Sequence, residues 1–70
     1  MLTGTIKLFV SDRGFGFIQP DDGGEDAFVH IRALAASGLG EPREGDRLSY
    51  ELELDSRSGK MRAVRLKAAG

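Results

Sequence analysis

Three phenylalanines and one histidine carry the chemical signal of this chain. Phe15 and Phe17 stand two apart in Arg13-Gly14-Phe15-Gly16-Phe17-Ile18, and Phe28 and His30 stand two apart in Asp26-Ala27-Phe28-Val29-His30-Ile31. In an extended strand, residues i and i+2 share a face. Each segment therefore sets two flat π side chains side by side. The chemistry such pairs offer is stacking: every nucleobase has a π face, and unpaired bases lie down on aromatic rings with little regard for sequence.

Other chemistries find no support in the same residues. His30 is the single histidine, and no serine, cysteine or carboxylate pair is spaced to work with it, so stacking or hydrogen bonding suits it better than general-base catalysis. With no cysteine, a disulfide framework and a thiolate metal site are both excluded, and one histidine is a poor basis for zinc. Gly14-Phe15-Gly16 lacks the third glycine of the dinucleotide-binding fingerprint. Asp21, Asp22, Glu25 and Asp26 lack the spacing of a calcium loop, and Gly23-Gly24 among them reads as a hairpin turn. Neither an enzyme nor a cofactor, metal or small-molecule ligand is expected.

The competing reading makes the phenylalanines the core and turns Ile18 and Val29 outward. The alternate positions argue against it. Gly16 and Ile18 flank Phe17, and Ala27 and Val29 flank Phe28, so both faces of these strands are apolar. A strand buried on both faces needs covering layers that seventy residues cannot supply. A chain this short buries only about 60% of its unfolded surface. Each exposed phenylalanine then forgoes roughly 1.5–3 kcal/mol of burial, a loss that makes sense when the face meets a ligand.

The elements that must hold these residues are short strands between turn signals, the pattern of a small barrel or sandwich. Thr3 to Val10, rich in β-branched and aromatic residues, is a first strand. Ser11 to Gly14 turns into a second strand over Phe15 to Gln19, closed by Pro20, and Ala27 to Ile31 is a third. Arg32 to Ser37 is the one helix-friendly segment, ended by Gly38. Leu39 to Gly45 is a surface loop. Leu48, Tyr50, Leu52 and Leu54 alternate with polar residues in a fourth strand. Ser56 to Gly59 turns it into a fifth, Lys60 to Lys67. The expected core is Ile6, Ile18, Val29, Leu34, Leu48, Tyr50, Leu52, Val64 and Leu66. Strict alternation separates Phe9 from Ile6, and a bulge in the first strand would bring it inward.

The net charge of −1 argues against a strong unspecific grip on phosphates. Its distribution is uneven. From Arg57 onward come Arg57, Lys60, Arg62, Arg65 and Lys67 with no acid, whereas acids dominate from Glu41 to Asp55. Lys7 and Arg13 sit beside the aromatic pairs. No apolar run approaches a membrane span, and no basic-then-apolar segment opens the chain, so a cytoplasmic monomer is expected.

Lys7-Leu8-Phe9, Asp12 through Ile18, Pro20-Asp21-Asp22-Gly23 and Asp26 through His30 together resemble, in order and spacing, the bacterial cold-shock proteins. The likeness runs from about Thr3 to Leu66, so residues 1–70 read as a single cold-shock domain. What the resemblance implies is an all-β fold: a five-stranded antiparallel barrel of the oligonucleotide-binding (OB-fold) type, with a short helical turn after the third strand. It also implies a partner, single-stranded RNA or DNA, bound as by a chaperone or a regulator of transcription or translation. The family's platform falls on Phe15, Phe17, Phe28 and His30, flanked by Lys7 and Arg13. Apart from the resemblance, Arg32, Arg57 and Lys60 are expected as further phosphate contacts. Three platform positions depart from the family's pattern: Leu8 stands where tryptophan is usual, and Ile31 and Leu39 where other aromatics are usual. Val10 replaces a common asparagine. These departures predict looser binding than in fully aromatic relatives. The alternative is a protein-interaction module in which the reduced platform and Leu8, Ile31 and Leu39 form an apolar docking patch.

Overall fold

β1 (Leu2–Val10), β2 (Phe15–Pro20), β3 (Ala27–His30), α1 (Ile31–Ala36), β4 (Arg47–Asp55) and β5 (Lys60–Ala68) follow one another in the computed structural model, which describes residues 1–69. Each predicted strand is present, and the helix starts one residue early. His30 ends β3 in extended backbone, and its Nδ1 accepts the Arg32 N–H at 3.1 Å, capping α1. Ile31 thus opens the helix instead of closing the strand.

The strands close into a ring in the order β1-β2-β3-β5-β4, consistent with the oligonucleotide-binding fold. Every pairing is antiparallel except β3 with β5, which is parallel. The arithmetic of the ring demands this: an odd number of strands cannot alternate direction all the way round. That seam is also the thinnest, with Phe28 opposite Arg62 as its single bridge.

Two bulges bend the ring and decide which side chains face inward. On β1, Ile6 pairs with Ile18 but Leu8 pairs with Phe17, so Lys7 is an extra residue. The slip reverses the faces beyond it. Leu8 turns outward, and Phe9 packs partly against the core as a bulge predicts. On β5 the register shifts opposite Tyr50, where Arg65 adopts a positive φ of 50°. Two inward residues, Ala63 and Leu66, are consequently three apart instead of two.

This second bulge corrects the expected core. Ile6, Ile18, Val29, Leu34, Leu48, Tyr50 and Leu66 are buried as predicted, and Ala27 and Ala63 join them. Val64 is only half-buried. Leu52 is 37% exposed, because the distal half of the β4–β5 hairpin runs past the end of the core. Its alternation with polar residues is real, but the described residues cover its apolar side only in part.

β1 and β2 approach closely because Gly16 has no side chain. A Cβ there would collide with the Leu8 carbonyl oxygen and lie 2.6 Å from Phe9 Cδ1. At the turn before β2, Gly14 takes φ +73°, a conformation glycine adopts without penalty, and its carbonyl accepts the Ile31 N–H at 2.8 Å. The turn is thereby tied to the end of β3, and the two aromatic strands are held in register.

Candidate nucleic-acid interface

The register of β2 and β3 assembles the platform. Phe15 lies opposite His30 and Phe17 opposite Phe28, while the intervening Gly16 and Val29 are buried. Alternation along both strands puts Ile18, Ala27 and Val29 in the core and all four π side chains on the outer face. The rings touch one another. Phe15 and Phe28 stack with centroids 5.7 Å apart, and Phe17 meets Phe15 and Phe28 edge-on at 6.1 and 6.0 Å. His30 lies 6.5 Å from Phe28. Such offset and edge-to-face contacts are favourable aromatic geometries, so the rings hold each other in place while their outer surfaces stay half-open. The cap to Arg32 fixes the orientation of the imidazole as well.

Around this centre the other predicted residues separate into two groups. Leu8 is 45% exposed and lies opposite Phe17, so it extends the row Leu8, Phe17, Phe28 across three strands. Lys7, the bulged residue beside it, is exposed but donates to Asp26 at 3.1 Å, so a phosphate approaching it competes with a carboxylate. Arg13 is exposed in the β1–β2 turn, and Arg32 on the first turn of α1. Arg57 and Lys60 are exposed at the tip and the start of β5 in the β4–β5 hairpin, and Lys60 borders a cleft that reaches Phe17 and Phe28. Ile31 and Leu39, by contrast, are half-buried and pack against the core.

Sequence reasoning missed two features of this face. His30 serves as the helix cap, a role its residue type does not announce. Arg62 stands in register with Phe28, on the outer side of β5, and its guanidinium donates to Glu53 at 2.9 Å. That hydrogen bond and the attraction of the guanidinium hold the Glu53 carboxyl below the ordinary glutamate range. Nothing in the sequence signals the neighbourhood of residues 28 and 62, because it depends on where the parallel seam closes.

The 'Cold-shock' DNA-binding domain family matches residues 2–69 of this chain. A "Probable cold shock protein y4cH" of Sinorhizobium fredii is 56% identical over 68 residues, covering 97% of this chain and 99% of that protein. "Cold shock protein CspA" of Rhizobium meliloti is 48% identical over 69 residues, covering 99% and 100%. "Glycine-rich protein 2" of Nicotiana sylvestris is 44% identical over 61 residues, which are 87% of this chain but 28% of the plant protein. The chain belongs to the cold-shock domain family, whose members are nucleic-acid-binding proteins and not enzymes. Among the described residues no helix is long and apolar enough to cross a membrane.

Proposed function

We propose that this protein binds single-stranded RNA or DNA with low sequence specificity, stacking bases on Phe15, Phe17, Phe28 and His30. The observation that carries this reading is the mutual contact of the three phenylalanines on an outward face, with ring centroids 5.7–6.1 Å apart, His30 6.5 Å from Phe28, and none of the three rings packed on the core. Lys7, Arg13, Arg32, Arg57 and Lys60 surround the face as phosphate contacts. In this reading the protein acts as a cytoplasmic monomer, a nucleic-acid chaperone or a regulator of transcription or translation.

Its affinity is reduced by aliphatic residues at the platform's margin. Stacking contributes roughly 1–3 kcal/mol per base. Leu8 keeps apolar contact but offers no π face, and Ile31 and Leu39 are drawn toward the core. Fluorescence anisotropy with a labelled thymidine-rich oligomer at low salt tests the proposal. Binding weaker than nanomolar is expected, and nanomolar binding would contradict the reduced platform. Leu8→Trp should tighten binding by about tenfold, the worth of some 1.4 kcal/mol. An unchanged affinity would remove Leu8 from the surface.

The exposure of Leu8 beside three aromatic rings also favours a second reading, an apolar patch that docks a protein. Salt separates the two. Phosphate contacts weaken steeply as salt rises, whereas apolar docking does not.

A further inference from the structure

The outward row that begins with Leu8, Phe17 and Phe28 does not end at β3. The bridge across the parallel seam sets Arg62 of β5 next to Phe28, and bridged residues of neighbouring strands point to the same side of the sheet. The burial pattern agrees, since Ala63 is buried and Arg62 exposed. The guanidinium is not free to wander. Its Nη2 donates to Glu53 Oε1 at 2.9 Å, and Glu53 lies directly opposite Arg62 on β4. A planar, delocalised cation is thus tethered on the β4 side of β5, the strand that follows Phe28 in the cross-strand order.

We propose that Arg62 is a stacking member of the nucleic-acid platform, a planar seat for one further unpaired base at the β5 end of the row. The inference rests on the stacking reading given above and specifies where the strand goes next. Guanidinium planes stack on bases as aromatic rings do, and arginine loses less freedom on binding than lysine because its fork is preorganised. The row is aliphatic at its β1 end, where Leu8 sits, and planar and cationic at its β5 end. The bound strand therefore leaves Phe28 over β5, toward Lys60 and Arg57 on the same hairpin, and not over β1. Lys7, at the β1 end, is already engaged by Asp26. Arg62 adds both a π surface and a positive charge at the point of exit.

Labelled oligothymidine titrated at several salt concentrations, with Arg62→Ala, Arg62→Lys and Phe17→Ala as variants, tests the assignment. Arg62→Ala should weaken binding about tenfold. Arg62→Lys, which keeps the charge and loses the plane, should weaken it nearly as much while leaving the salt slope unchanged. Lysine restoring full affinity would reduce Arg62 to a phosphate contact and overturn the proposal. A loss in Arg62→Ala that disappears in the Arg62→Ala, Glu53→Gln double variant would also overturn it, because the effect would then be repulsion by an unpaired carboxylate. If Phe17→Ala weakens binding and Arg62→Ala does not, the proposal fails and the platform stands. If neither matters, the stacking reading itself falls. Arg62 is exposed and Phe17 half-buried, and thermal melting of each variant confirms that the comparison is between folded proteins.

Discussion

The outer face of β2 and β3 and the distal half of the β4–β5 hairpin both leave apolar side chains open to solvent, with different consequences. On the first, Phe15, Phe17 and Phe28 lie in cross-strand register and hold one another within 5.7–6.1 Å. On the second, Leu52, Leu54 and Met61 are 37%, 59% and 45% exposed simply because the hairpin outruns the core. The hairpin's other face is laced by ion pairs, Arg62 to Glu53 at 2.9 Å and Arg65 to Glu51 at 3.0 Å. The two regions meet at a cleft of about 710 Å³ bordered by Phe17, Phe28, Leu52 and Met61, with Tyr50 in its wall. Exposure alone therefore does not mark a site. Half-buried rings already oriented by each other are the stronger candidate, and they carry the proposed stacking face.

The sharpest way to break this contrast uses two neighbours on β2. Ile18→Ala removes a fully buried side chain and should cost about 2–5 kcal/mol in denaturant unfolding. Phe17→Ala, one residue away on the opposite face, should cost only about 1 kcal/mol of stability, the scale of a cross-strand pair. It should lower oligonucleotide affinity about tenfold. Equal destabilisation by the two would return the phenylalanines to the core.

A smaller effect is expected where the cleft meets the core. The Tyr50 hydroxyl is buried without a hydrogen-bond partner among the described residues. Burial, together with the nearby charges of Asp22 and Asp21, pushes this phenol above its usual range. Tyr50→Phe deletes the unsatisfied group and should raise stability by about 1 kcal/mol; clear destabilisation would mean the hydroxyl has a partner. Leu54→Ser, on the hairpin, should change stability by less than about 0.5 kcal/mol and leave binding alone. A larger loss would show that the hairpin's apolar side is covered in solution.

The weakest predicted effect is acid sensitivity. The Arg47 guanidinium and the Thr3 hydroxyl hold the Asp21 carboxyl below its usual range, with Arg47 Nη2 at 2.6 Å. Glu53 is lowered by Arg62, and Asp55 chiefly by the backbone N–H of Arg57. Folded-state values below the unfolded ones mean that the stabilisation is present above the ordinary carboxylate range and is lost as pH falls through the folded values. Thermal melts should therefore decline below about pH 4, and less so in Asp21→Asn. These groups are exposed, so the effect should shrink further with added salt.

Much of the platform was legible before any coordinates, because strand alternation is a local property. Phe15-Gly16-Phe17-Ile18 and Ala27-Phe28-Val29-His30 each carry their own face assignment, and the turn at Ser11 to Gly14 marks where the first pairing begins. The same rule misassigned Leu52 and Val64. In Leu52 the alternation was right but the length of the core was not available from it. In Val64 the rule broke at the bulge containing Arg65, a residue whose positive φ no propensity would place in a strand. The bulge at Lys7, anticipated only as one option for Phe9, settled that Leu8 joins the rings and Phe9 does not.

What the sequence by itself determined is therefore the period-two order of faces and the placing of Phe15, Phe17, Phe28 and His30 together on one of them, since each follows from covalent neighbours one or two residues apart. Only the tertiary structure decided which faces were covered and which residues became neighbours across the strands. Lys7 meets Asp26, nineteen residues away in sequence, and Phe28 meets Arg62 across the parallel seam. Both depend on ring closure, and closure is a property of five strands together that no single strand encodes.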